Sequence, residues 1–288
     1  MSQRTQIGII TLVALLGYLA LSFLPDTHCA LLHGQHEPLL VRGVEFCGIN
    51  EEANYYSPKK LQFPVRMELA LNADGPSFLW LKGEDDRPML DHEISLSHTQ
   101  KIHLHLRQAQ GDRAYVHLHP NPTEDGRWSF QLPTEFWASQ PGVMLQAFVD
   151  FVPRRSERVM LAECSAPLPV KARDNIKATE GLRLMSHTSN TFRTGQTALI
   201  RVKLAGKDNQ AVKLYPLMGS LGHAVLFGDA GSNPGYAHMH PSLEGGEYDG
   251  QPSLAFRLRL PAPGDYDFWL NVNDGADQYL RFTLTVTQ

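Results

Sequence analysis

The stretch Tyr-Val-His-Leu-His-Pro at residues 115–120 returns as Tyr-Ala-His-Met-His-Pro at residues 236–241, in a chain of 288 residues with 13 histidines. Side chains two apart on a strand share a face. His117 with His119, and His238 with His240, therefore each present two imidazoles side by side, about 7 Å apart at the backbone. The proline after each pair has no N–H to donate, so it ends the ladder. The repetition means that a folding unit was copied, a chemical site was copied, or both.

Laying the second half on the first extends the match. His103 precedes His117 by 14 residues and His223 precedes His238 by 15. Pro141-Gly142 and Pro263-Gly264 each lead into an apolar strand. His119 to Asp150 and His240 to Asn271 are both 31 residues. Such matched spacing is the mark of a tandem duplication. Beyond residue 30 the chain is a series of short alternating runs, among them KIHLHLR, AYVHLHP, VMLQAFVDFV, HAVLFGD, LAFRLRLP and DYDFWLNV, broken by Gly, Pro, Asn and Asp. The fold class expected is all-β, two tandem β-sandwiches after an N-terminal helix. The expected boundaries are a first module at 31–165, a polar, proline-bearing linker at 166–181 and a second module at 182–288.

Residues 7–24, IGIITLVALLGYLALSFL, carry no charge and are near the lower length limit for a membrane-spanning helix. Arg4 before the run and Asp26 after it favour residues 1–6 in the cytoplasm and the bulk of the chain outside. The expectation is a single-pass anchor in a bacterial inner membrane, with the rest in the periplasm or extracellular space. Secretion after signal cleavage near Ala20-Leu21-Ser22 is the alternative. With 26 basic and 30 acidic residues and no basic block, nucleic acid is not an expected partner. The three cysteines, Cys29, Cys47 and Cys164, are too few for a disulfide scaffold. One pair, Cys47 with Cys164, suits an oxidising compartment.

The histidine pairs suggest chemistry. A transition metal needs nitrogens at about 2 Å and fits between paired imidazoles. A third nitrogen must come from a strand about 4.8 Å away, where His103 and His223 lie one hairpin upstream. The candidate ligands are His103, His117 and His119 in the first half and His223, His238 and His240 in the second. Three imidazoles with an open fourth position suit copper(II) or zinc. The competing reading is a solvent-facing edge strand whose alternation puts histidines outward without any ion. His105 shares a face with His103, but Val225 stands at the matching position. His98 reads as a turn residue, and His28, His33 and His36 as a solvated juxtamembrane stretch. Asp150 is a candidate to hold a ligating imidazole in one tautomer, with Asn271 at its place in the second half. Met239 and the strand aromatics, including Phe148 and Trp269, read as core.

The stretch Pro216-Leu217-Met218-Gly219-Ser220-Leu221-Gly222-His223, followed by YAHMHP, Pro263-Gly264-Asp265-Tyr266 and YLRFTLTV, resembles the C-terminal module of a largely uncharacterised family of bacterial exported proteins. The first half, with KIHLHL, YVHLHP, DGRWSF and DFVP, resembles their preceding module. Similar domains are the YtkA-like immunoglobulin-like sandwiches. The resemblance implies copper or other heavy-metal handling at the envelope and points to the same six histidines. Leu217 in place of the usual tyrosine, Asn271 and Asn273 in a commonly apolar strand, and Ile102 before His103 are departures. The expected function is a membrane-tethered, extracytoplasmic protein that sequesters or transfers copper or zinc, with an envelope metal transporter or chaperone as partner and no enzymatic role. The alternatives are a metal-independent envelope adaptor and a tri-histidine metalloenzyme.

Overall fold

The computed structural model describes residues 2–22, 39–41, 44–46, 53–57, 63–97, 99–108, 114–136, 142–170, 183–187, 191–206, 209–228, 235–243, 249–250 and 252–288. Helix α1 (Gln3–Ser22) comes first. The strands that matter here are β1 (Ala53–Asn54), β2 (Arg66–Ala70), β3 (Ser77–Lys82), β4 (Ile102–Gln108), β5 (Tyr115–Leu118), β6 (Asn121–Pro122), β7 (Trp128–Phe130), β8 (Met144–Pro153) and β9 (Met160–Pro167). They are followed by β10 (Arg183–His187), β11 (Thr191–Arg193), β12 (Thr197–Ala205), β13 (His223–Gly228), β14 (Tyr236–Met239), β15 (Ser242–Leu243), β16 (Ser253–Arg259), β17 (Gly264–Asn273) and β18 (Asp277–Thr287).

Alternation along these strands sets the layers. In the first half, sheet β2-β3-β7-β6 faces sheet β9-β8-β4-β5. Between them Leu79, Leu81, Trp128 and Phe130 pack on Ile102, Leu104, Leu106, Leu145, Ala147 and Val149. In the second half, sheet β10-β12-β16-β15 faces sheet β11-β18-β17-β13-β14, and Ile200, Val202, Phe256 and Leu258 pack on Ala224, Leu226, Phe268, Leu270 and Leu284. Because side chains alternate, the residues between these core positions project from the other face of each sheet. On β4 those are His103, His105 and Arg107, and on β13 they are His223, Val225 and Phe227.

These second faces meet each other rather than water. Tyr56, Tyr115, Phe148, Val225, Phe227 and Tyr236 form a third buried cluster drawn from both halves. Tyr115 lies 5.5 Å from Phe227 and 5.4 Å from Trp269 ring to ring, and Phe148 lies 4.8 Å from Tyr236. Such aromatic pairs contribute about 0.5–1.5 kcal/mol each beyond their area burial. Arg107 crosses as well: its guanidinium covers the Phe227 ring at 4.7 Å and donates to the Gly228 carbonyl at 3.1 Å. Phe148 and Trp269, expected in the cores, belong to this interface, whereas Met239 packs in the second core.

Several expected boundaries shift. Residues 53–56, assigned by sequence to the first module, join the second: β1 pairs in parallel with β16, and Tyr56 and Tyr236 exchange backbone hydrogen bonds of 2.8 and 3.0 Å. The exposed strand edge of the second half explains the pairing, since its unpaired groups accept any extended segment that reaches them. Residues 66–82 supply β2 and β3, two of the four strands in the outer sheet of the first half. The expected linker start at 166 is also too early, because β9 runs to Pro167 and Leu168 is buried in the first core. Residues 171–182 lie outside the described residues. So do His28, His33, His36, His98, Cys29 and Cys47, while Cys164 is half-buried on β9.

On α1 the side chains of Ile7, Ile9, Ile10, Leu12, Val13, Leu15, Leu16, Tyr18 and Leu19 are all exposed, by 42–70%. Among the described residues no helix is long and apolar enough to cross a membrane, and residues 23 and 24 of the expected 7–24 span lie outside them.

The strap at residues 53–56 depends on one glycine. Gly235 has φ +143°, and a Cβ there would strike the Tyr56 carbonyl oxygen. Gly235→Ala is expected to lower the unfolding free energy by roughly 1–3 kcal/mol through this clash and the strained backbone. Urea unfolding checks this; an unchanged midpoint would show that the strap adds nothing to stability.

Candidate metal centre

The two halves build the same local geometry in register. On the first side His103 stands opposite Asp150, and His105 opposite His117. On the second, His223 stands opposite Asn271, and Val225 opposite His238. His103 Nδ1 lies 3.2 Å from His117 Nε2, and His223 Nδ1 lies 3.1 Å from His238 Nε2. The far nitrogen of each upstream ring is tied six residues back: His103 Nε2–H donates to the Ser97 carbonyl at 3.0 Å, and His223 Nε2–H to the Leu217 carbonyl at 2.9 Å. His119 and His240 follow the last residues of β5 and β14, where Pro120 and Pro241 stop the ladders. Their rings lie 4.6 Å from His117 and 4.8 Å from His238 respectively.

The structure brings all six sequence-predicted histidines together, and it places them in one cluster rather than two. His238 of the second half lies 5.3 Å from His103 and 5.3 Å from His117, ring to ring. Among the described residues, three groups of side chains have ligand atoms within 4.8 Å of one another: His103, His117 and His238; His223, His238 and His240; and His105, Asp150 and His238. Nor is the centre open to solvent, as three imidazoles on a rim implied. His103 and His105 are fully buried and His223 nearly so, because each half covers the rim of the other.

Sequence reasoning set His105 aside because Val225 occupies its counterpart position. In the structure His105 Nε2–H donates to Asp150 Oδ1 at 3.1 Å, its Nδ1 accepts from the Tyr115 hydroxyl at 3.0 Å, and its ring stacks 4.4 Å from His117. The signal was present in the alternation His103-x-His105 on a strand paired with the one carrying Asp150. Asp150 also reaches across the interface, accepting from His238 Nδ1–H at 3.2 Å, with the Tyr236 hydroxyl at 3.5 Å. A carboxylate behind an imidazole fixes its tautomer, and here the imidazole belongs to the other half.

That tautomer has a consequence. With Nδ1–H of His238 on Asp150, its Nε2 carries a lone pair. A neutral His223 ring donating from Nε2 to Leu217 would also carry its lone pair on Nδ1, and in that form two lone pairs face each other at 3.1 Å. Reversing His238 would only move the repulsion onto Asp150. In the first half the conflict is milder: His117 Nε2–H can donate to His103, which leaves His117 Nδ1 buried without a hydrogen bond among the described residues, as is His119 Nε2. Nitrogens bound to one tetrahedral cation at about 2.0–2.1 Å stand about 3.3 Å apart. The two head-on pairs are close to that spacing, so the donor set fits a borderline cation such as copper or zinc.

Electrostatics points the same way. Burial lowers the pKa values of His103, His105, His117 and His238, and it carries His119 down to about 3. Burial would raise that of Asp150, but the facing His238 and the hydrogen bonds from His105 and His238 hold it well below the usual carboxylate range. The rings are thus held neutral, the form that ligates.

Comparisons with known proteins add little to this geometry. A family model described as a domain of unknown function (DUF8832) matches residues 177–288. No curated protein matches the chain. Similar solved structures include the Lin-41 filamin domain, at 14% identity and TM-score 0.25 over 38% of this chain and 95% of that one. Dimeric latent PorU from Porphyromonas gingivalis is similar at 12% identity and TM-score 0.26, over 78% of this chain and 24% of PorU. The N-terminal four immunoglobulin domains of Dscam1 isoform 6.44 are similar at 9% identity and TM-score 0.21, over 79% of this chain and 53% of that one.

A pH dependence follows from the buried histidines. Their native pKa values lie below the unfolded value of about 6.5, so the native state binds fewer protons than the unfolded chain. Their contribution to stability is complete above that pH and is lost as pH falls beneath it. Asp150 acts in the same direction further into acid, below about pH 4. The metal-free protein is expected to lose up to about 1.4 kcal/mol per pH unit per buried histidine between pH 6.5 and 5. Urea midpoints across that range test this, and a flat profile would contradict it.

Proposed function

We propose that this protein binds copper or zinc outside the cytoplasm and sequesters the ion or passes it on. The observation that carries the reading is the His223–His238 contact, in which two ring nitrogens face each other at 3.1 Å while the far nitrogens are tied to the Leu217 carbonyl and to Asp150. A cation placed there removes the repulsion. The unsatisfied His117 Nδ1 and His119 Nε2, and the supply of neutral imidazoles around one carboxylate, support the same conclusion. The residue-level resemblance to exported YtkA-like proteins supports tandem immunoglobulin-like sandwiches and metal handling at a bacterial envelope, with a metal transporter or chaperone as partner. Membrane tethering is supported by α1, whose large apolar side chains, including Ile10, Val13 and Tyr18, are exposed. Burial of the cluster favours holding the ion over rapid exchange, so transfer would require the half-buried His119 and His240 at its edges to act first.

Equilibrium dialysis of the full chain against micromolar Cu(II) or Zn(II), followed by metal analysis, tests the proposal. Metal is expected on the wild type, and the double variant His238→Ala/His240→Ala should lose it while keeping its β-rich circular dichroism. Wild-type protein that emerges without metal would refute the reading. Affinity should weaken below about pH 6, where protonation competes with ligation; equal affinity at pH 5 and pH 7.5 would exclude imidazole coordination.

A further inference from the structure

We infer that the two half-sites form a single centre that takes one divalent cation, held by two imidazoles from each half where their histidine-bearing faces meet. This deepens the metal-binding reading and rests on it. The first support is that, among the described residues, His238 belongs to every group of converging ligand atoms. An ion that recruits it from one group withdraws it from the others, so the halves cannot load independently.

The second support is the arrangement of four rings. His103, His117, His223 and His238 have ring-to-ring distances of 5.3, 5.3, 5.3, 5.4, 5.4 and 6.4 Å. Four imidazoles on one tetrahedral ion, with nitrogens at about 2.1 Å, would have ring centres about 5.2 Å apart. Five of the six distances are already near that value, and drawing His103 and His223 together completes the set. The nitrogens required are Nδ1 of His103 and His223 and Nε2 of His117 and His238, the same atoms that meet head-on. On three of these rings the other nitrogen is held by Ser97, Leu217 or Asp150, the kind of support that orients ligating imidazoles.

The third support is charge. Among the described residues Asp150 is the one carboxylate hydrogen-bonded into the cluster, through His105 and His238. It offsets half the charge of one divalent ion, and a second ion a few ångströms away in the same buried space would be repelled by the first. The cation thus acts as a staple between the halves, and His119 and His240 remain outside the coordination set, one on each side.

Zinc K-edge absorption on the full-length, zinc-loaded protein, together with metal analysis, decides the matter. The expected result is one zinc per chain with four imidazole nitrogens at about 2.0–2.1 Å. His103→Ala and His223→Ala should each weaken binding at least about 100-fold, although they lie in different halves, whereas His119→Ala and His240→Ala should each retain one ion. Two zinc ions per chain, or three nitrogens with a water, would overturn the inference while leaving metal binding intact. So would a folded His223→Ala protein that holds zinc as tightly as wild type. The absence of any zinc would refute both. The wild-type spectrum and stoichiometry require no variant, so a substitution that fails to fold does not leave the inference undecided.

Discussion

Gathering seven imidazole rings and one carboxylate between two sheets, with four of the rings buried, is the constraint around which this protein is organised. Polar groups removed from water must find partners, and an ionised one must find compensation. The strands supply part of this through the carbonyls of Ser97 and Leu217, the Tyr115 hydroxyl and Asp150. What they leave unsatisfied, His117 Nδ1 and His119 Nε2, lies on rings beside the nitrogen pairs that face each other. The interface is therefore neither an ordinary apolar seam nor a solvated crevice: its aromatic part holds the halves together, and its histidine part gives them a reason to meet.

The two halves repeat one arrangement, and Asp150 breaks it. His103 and His223, and His117 and His238, occupy equivalent registers, and the tie of each upstream ring to a carbonyl six residues back is preserved. Asp150 against Asn271 is the point of departure. A carboxylate on one side only fixes His238 in one tautomer and leaves its counterpart, His117, free to take the other. Val225 in place of His105 continues the asymmetry, because only the first half needs a second ring to reach the carboxylate.

Much of the fold was legible in the sequence because alternation and repeat spacing are local signals. His103-x-His105, His117-x-His119 and their counterparts announced which side chains share a face, and the matched intervals announced two copies. What lay beyond the sequence was what each histidine-bearing face would pack against. A polar face reads as solvated, and the cues to the contrary, Phe148 and Trp269 beside the histidines, read equally well as core. His105 was set aside for lack of a counterpart, although it hydrogen-bonds Asp150, the carboxylate that also takes His238 from the other half. The crossing of residues 53–56 was equally hidden, since a two-residue strand has no periodicity to read.

That crossing bears on where the molecule can be divided. A fragment trimmed to residues 177–288, the stretch matched by the family model, would lose the segment that lies along β16, together with every first-half ligand. It would keep its own core but carry an unprotected sheet margin and a naked histidine face, two adhesive surfaces that the intact chain conceals. Self-association of such a fragment would then reflect the cut, with no bearing on how the whole protein behaves.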